Sequence, residues 1–281
     1  MEAHLRYIGI RSEQPQVLAD FYKEFLSLTE LATSDEGDVA LTDGFFNLTV
    51  LKERPYERTA WSGPITGLGY TNVGIAIDDL RGVLENIEKF APPHTRLLAD
   101  KGGPFHGDYF VNDPNGLPVA LSLSNFGVPD SGADRRLPAI RHVALSVPNN
   151  DRVVDFFMDV FGFREQARPD GAPPRGENGN PSRGIADGST AFQVLVYPVT
   201  TSDVDEGVTL GPRHARWGLN HIGFLVQDLE ATLKALPEGS TSPRPSSRPM
   251  AEWRGTDPDG NEFDISSAKG YQIDTGVWAQ A

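Results

Sequence analysis

Short apolar strands alternate with helix-spaced apolar stretches along this chain, and the order of strand, helix, then strands recurs four times. The opening strands are Leu5 to Ile10, Tyr70 to Ile77, Ile140 to Val147 and Leu219 to Val226. Behind the first, Val17, Leu18, Phe21, Tyr22, Phe25 and Leu26 recur at the spacing of one helix face. Behind the third, Val153, Val154, Phe156, Phe157 and Val160 do the same, and Gly162 supplies a helix stop. Leu80, Val83, Leu84 and Ile87 predict a second helix, and Leu229, Leu233 and Leu236 a fourth. Asp79, Asn150 and Asp228 stand where N-caps belong.

Each repeat closes with strands entered through a glycine turn: Thr42-Asp43-Gly44, Asp113-Pro114-Asn115-Gly116, Ala186-Asp187-Gly188 and Asp257-Pro258-Asp259-Gly260. The opening strands recur at intervals of roughly 70 residues, too long for a solenoid and suited to a small α+β module. Gly127 to Pro138 reads as a linker, which divides the chain into residues 1–127 and 138–281, each a pair of modules. Arg168 to Gly184 reads as a long surface loop inside the third module.

Composition narrows the chemistry. The absence of cysteine excludes disulfides, thiolate metal sites and a thiol nucleophile. A net charge of −14 opposes nucleic acid as a partner. The N-terminus shows no signal peptide and no apolar run approaches a membrane span, so a cytoplasmic location is expected.

When the four opening strands are aligned, one slot holds Tyr7, Asn72, His142 and His221. A lone strand histidine is usually an interior residue, but two in one repeat slot point to a metal. Two imidazoles with a carboxylate from the acidic last strand, Asn261-Glu262-Phe263-Asp264, can hold a divalent ion and leave positions open for substrate. In the first half, His4, His94 and His106 read as surface or turn residues.

The strings Arg141-His142-Val143-Ala144-Leu145, Asn220-His221-Ile222-Gly223-Phe224, Phe156 to Phe163 and Asp257 to Asp264 together resemble the vicinal oxygen chelate superfamily. That family includes glyoxalase I, type I extradiol ring-cleaving dioxygenases and drug-resistance proteins. The resemblance spans nearly the whole chain. It implies an α+β fold of four βαβββ modules, forming two domains with curled mixed sheets.

Four modules resemble the extradiol branch, whose C-terminal domain alone holds iron. Carried over, its ligands are His142, His221 and the carboxylate four residues after the turn glycine, Asp264, with Glu262 as rival. The corresponding slots Tyr7, Asn72 and Ala120 leave the first half as a metal-free scaffold. The resemblance implies an Fe(II)-dependent oxidoreductase cleaving a small catechol-like diol with O2. Mn, Zn, Ni or Co are alternative cofactors, and self-association into a homo-oligomer is expected by analogy.

This chain departs from the extradiol pattern where Arg254 replaces the family's tyrosine. Arg254, His214 and Tyr271 are the candidate catalytic side chains. Two alternatives share the fold. One is a glyoxalase-like lyase or isomerase with Glu262 or Glu252 as base. The other is a non-catalytic small-molecule-binding protein that needs no metal.

Overall fold

The computed structural model describes residues 3–53, 69–90, 98–99, 107–128, 137–166, 182–196, 218–244 and 251–267. In the first module, β1 (Ala3–Ser12) leads to α1 (Pro15–Leu26) and then β2 (Thr29–Thr33), β3 (Val39–Thr42) and β4 (Asn47–Lys52). In the second, β5 (Gly69–Ala76) leads to α2 (Leu80–Phe90), β6 (Leu98–Ala99), β7 (Tyr109–Asn112) and β8 (Pro118–Ser122). The third has β9 (Ala139–Val147), α3 (Asn150–Phe161), β10 (Arg164–Glu165), β11 (Ser182–Ala186) and β12 (Ala191–Val196). The fourth has β13 (Gly218–Val226), α4 (Leu229–Ala235), β14 (Thr241–Pro243), β15 (Trp253–Thr256) and β16 (Glu262–Ser266). The expected βαβββ repeat is therefore present four times, in an α+β fold.

Local chemistry explains why the repeat holds its shape. The turn residues Gly44, Gly116, Gly188 and Gly260 all take φ between 80 and 88°, a region that only glycine enters without strain. In each turn an aspartate one or three residues before the glycine accepts backbone N–H groups. Asp113 Oδ1 takes those of Asn115 and Leu117, and Asp257 Oδ1 takes those of Asp259 and Asn261. The cap of α3 is Asn149, one residue before the expected Asn150, and it accepts from the Arg152 N–H. Asp228 caps α4 as expected. Helix α3 ends on Gly162 in the left-handed conformation.

The sheets pair the modules differently from the expected division at residues 1–127 and 138–281. One sheet runs β14-β15-β16-β13-β1-β4-β3-β2 and joins module four to module one. The other runs β10-β11-β12-β9-β5-β8-β7-β6 and joins module three to module two. The seams are antiparallel, β1 against β13 and β5 against β9. The strand pattern cannot reveal this. The opening strands are largely buried on both faces and share one local pattern, so the partner is chosen by tertiary packing.

The core lies between the helices and one face of each sheet. Helix α3 bridges the two sheets. Phe157 meets Phe192 of one sheet at 5.0 Å and Phe224 of the other at 5.5 Å, and Phe161 stacks on Phe224 at 4.3 Å between centroids. The phenylalanine run of α3 is thus core packing, with each ring contributing about 1.5–3 kcal/mol by burial. Tyr70 ties the sheets at their rim by donating its hydroxyl to the Glu262 carbonyl at 2.9 Å.

A buried ion pair adds a second tie. Arg6 Nη1 reaches Asp187 Oδ2 at 3.2 Å and donates to Ser189 Oγ at 2.8 Å. His4, expected at the surface, is buried in this group with Nδ1 3.7 Å from Asp187. It is interior because β1 is a central strand and every residue of it is buried. His94 and His106 lie outside the described residues, as do most of the expected linker and loop. No described helix is long and apolar enough to cross a membrane.

Candidate functional site

Strand alternation puts Phe224 and Phe263 toward α3, and His221, Glu262 and Asp264 on the opposite face of the same sheet. Register then fixes the neighbours in this first cleft. One cross-strand row reads Asn47, Tyr7, Gly223, Asp264, Arg254, and the next reads Thr49, Gly9, His221. The side chains converge over a floor opened by Gly9 and Gly223. A Cβ on Gly9 would stand 2.5 Å from Cε1 of the His221 ring, so glycine is what lets the imidazole lie across β1.

Arg254 dominates this cleft. Its Nε donates to Asp264 Oδ1 at 2.7 Å and Nη2 to Oδ2 at 3.2 Å, while Nη1 donates to Glu262 Oε2 at 2.6 Å. His221 Nε2 lies 3.0 Å from Asp264 Oδ2, and its Nδ1 lies 2.9 Å from Asn220 Oδ1. A neutral imidazole has one N–H, so it satisfies both neighbours when that N–H points to Asp264 and the Asn220 amide turns its NH2 to Nδ1. The Tyr7 ring packs against the imidazole at 5.4 Å.

Electrostatics follow from burial and from these contacts. Burial, helped by the neighbouring guanidinium, lowers the His221 pKa and keeps the ring neutral near neutral pH. Burial acts to raise Asp264, but His221 and Arg254 outweigh it and hold the carboxyl well below its usual range. Burial, then the Asp264 charge, pushes the Tyr7 phenol up, so it stays protonated.

The second cleft repeats the backbone of the first with other side chains. Its rows read Asn72, Ala144, Gln193, Gly184 and Ala120, Gly74, His142, Ala191, Ala186. His142 therefore matches His221, Gln193 matches Asp264, Gly184 matches Arg254 and Ala191 matches Glu262. The imidazole of His142 stacks on Phe126, with centroids 4.7 Å apart and planes at 14°.

This geometry corrects the expected metal triad. His221 and Asp264 come together, with Glu262 on the same guanidinium. His142 stands in the other sheet, because the ligand set carried over from the resemblance requires modules three and four to share a sheet. Here they do not. The rule of counting four residues from the turn glycine also misses Gln193 and Thr49. Register against the neighbouring strand finds both.

His221 with two carboxylates that chelate one guanidinium does not fit a resident divalent ion. Among the described residues, no three His, Asp or Glu side chains converge closely enough to hold one. Both Asp264 oxygens are already engaged, and a divalent ion added to that carboxylate would be repelled by the guanidinium. Of the catalytic candidates, Arg254 lies in the first cleft; His214 and Tyr271 fall outside the described residues.

Comparison with known proteins agrees with the architecture. Residues 139–265 match the family model described as Glyoxalase/Bleomycin resistance protein/Dioxygenase superfamily. Glyoxalase I from Zea mays superposes with a TM-score of 0.62 at 17% identity, covering 96% of this chain and 94% of that one. A proposed dioxygenase from Bacillus subtilis subsp. subtilis str. 168 gives 0.60 at 14% identity, covering 94% and 84%. The cppA protein from Streptococcus pneumoniae TIGR4 gives 0.50 at 10% identity, covering 95% and 98%. At these identities the likeness is one of fold. Comparison with curated protein sequences finds no match.

Proposed function

We propose that this chain, which has the vicinal oxygen chelate fold, binds a small polar molecule in its first cleft through fixed side chains and without a resident metal ion. Members of the superfamily are mostly metalloenzymes. What supports a metal-free reading here is one observation: the Arg254 guanidinium is clasped by Asp264 and Glu262 in the cleft. The Asp264 charge raises the Tyr7 phenol while Arg254 and Arg244 lower it, so charges of both signs act in this cleft. Such a site suits a neutral polar molecule better than a strong anion or cation. The remaining Arg254 N–H groups and the Thr49 hydroxyl supply hydrogen bonds.

A second reading keeps the metalloenzyme, with ferrous iron, a small aromatic diol and O2. The separation of His221 Nε2 and Asp264 Oδ2, 3.0 Å, is that of two donor atoms sharing one ion. That reading requires Arg254 to leave the carboxylate and a third ligand other than His142.

The test is a thermal-shift screen of chelator-treated protein against small phenols, catechols and hydroxyketones. The expected result is a ligand that raises Tm in wild type and in His142→Ala, and fails to do so in Arg254→Met. Oxygen uptake with a catechol that needs added ferrous ion would overturn the metal-free reading.

A further inference from the structure

We infer that the second cleft is a distinct binding site for an uncharged, flat ring bearing one hydrogen-bond donor and one acceptor, and that the Phe126 side chain occupies it in place of that ligand. The inference stands apart from the reading of the first cleft. Its first support is a pair of buried polar atoms with no partner. Gln193 is 3% exposed, and its Nε2 makes no hydrogen bond; Asn72 Oδ1 is likewise buried and unbonded. They flank Ala144 in a single cross-strand row, one from each neighbouring strand, on the face that carries His142. Native interiors rarely leave such atoms unmatched, because each has lost water without gaining a partner.

The second support is the shape of the floor. Where the first cleft has Arg254, Glu262 and Thr49, the second has Gly184, Ala191 and Ala120, which leave the space above the strands free of charge and bulk. A phenyl ring fills it. Phe126 is fully buried against Ala120, Ala186 and Ala191 and lies parallel to the His142 imidazole.

The third support is how that ring is held. Phe126 comes from the turn Asn125–Gly127, outside either sheet, and both Asn125 and Phe126 sit at positive φ, 52° and 53°. Two successive non-glycine residues in the left-handed region are strained. Withdrawing the ring relieves that strain, so displacement by a ligand is less unfavourable than the loss of contacts alone suggests. A planar ring entering on His142 would keep the stack. Its carbonyl would accept from Gln193 Nε2 and its N–H would donate to Asn72 Oδ1. A lactam fused to an aromatic ring has that chemistry.

The experiment titrates 2-quinolone, with naphthalene as the apolar control, into the full chain by calorimetry. Phe126→Ala is expected to bind 2-quinolone at least about ten-fold more tightly than wild type, and adding Gln193→Leu is expected to remove about ten-fold. Phe126→Leu, which keeps the cluster partly filled, should fall between wild type and Phe126→Ala and serves if the alanine variant does not fold. Because Gln193 stands opposite Ala144 in the second cleft alone, the Gln193→Leu loss separates this binding from the first cleft. Equal affinity for naphthalene and 2-quinolone, or insensitivity to Gln193→Leu, would overturn the proposal.

Discussion

His221 and His142 occupy the same position in successive modules, yet they belong to different sheets. His221 Nε2 stands 3.0 Å from the Asp264 carboxylate, whereas His142 stacks on Phe126. One repeat slot has thus taken on two environments, one charged and one neutral. Substituting each should separate them. His142→Ala is expected to leave ligand binding in the first cleft within about two-fold of wild type, a difference well under 1.4 kcal/mol. His221→Ala is expected to weaken it by about ten-fold or more. Calorimetric titration of the two variants checks both.

Arg254 compensates two carboxylates from β16, one almost fully buried. Arg254→Met removes that compensation and should destabilise the chain by about 3–5 kcal/mol at neutral pH, the usual effect of stripping one partner from a buried pair. The loss should shrink toward pH 4. Without the guanidinium, the Asp264 carboxyl rises and takes a proton at higher pH in the folded state, and protonation removes the isolated charge. Urea denaturation of wild type and variant across that range reads the effect.

Gly9 has no room for a side chain. A Cβ there would lie 2.5 Å from His221 Cε1 and 2.9 Å from both ring nitrogens. The ring cannot simply turn away, since Asn220 and Asp264 hold it on both sides. Gly9→Ala is therefore expected to cost about 1–3 kcal/mol, in the range of other overpacked cores, and to weaken the first cleft. Equilibrium unfolding measures the first effect and ligand titration the second.

Asp113 gives a pH signature. Burial raises it to about 6 from an ordinary 3.8, although the Leu117 N–H and the Tyr22 hydroxyl hold it down. Between those values the folded state binds the proton more tightly than the unfolded chain. The stabilisation from this group is therefore full below pH 3.8 and is lost as pH rises through about 6. Asp113→Asn should gain on wild type by on the order of 2 kcal/mol between pH 4 and 7. Asp257, also raised to about 6 by burial, repeats the pattern in the fourth module. Thermal unfolding as a function of pH checks the sign.

Much of the architecture is legible in the sequence. Helix faces, glycine turns and a fourfold order of elements all leave local marks: Gly162 and Asp228, for example, act as the sequence predicts. Part of the site is legible as well, because His221, Asp264 and Arg254 do meet. What the sequence does not carry is which copies pair. Strands β1, β5, β9 and β13 are alike in local pattern, and tertiary contacts such as the packing of α3 and the Arg6–Asp187 pair distinguish their partners. The misplacement of His142 follows from that ambiguity alone. Gln193 is hidden for a related reason, since the glycine count shifts by one residue between modules. Phe126 adjoins a Pro- and Gly-rich stretch that reads as linker, and nothing local marks it as cleft filling.

The most direct test of a metal-free first cleft is the divalent-ion content of the full chain after reconstitution with ferrous iron and exhaustive dialysis under anaerobic conditions. Wild type should retain far less than one equivalent, with no difference from His142→Ala or His221→Ala. A full equivalent held by wild type, and lost in His221→Ala, would contradict it.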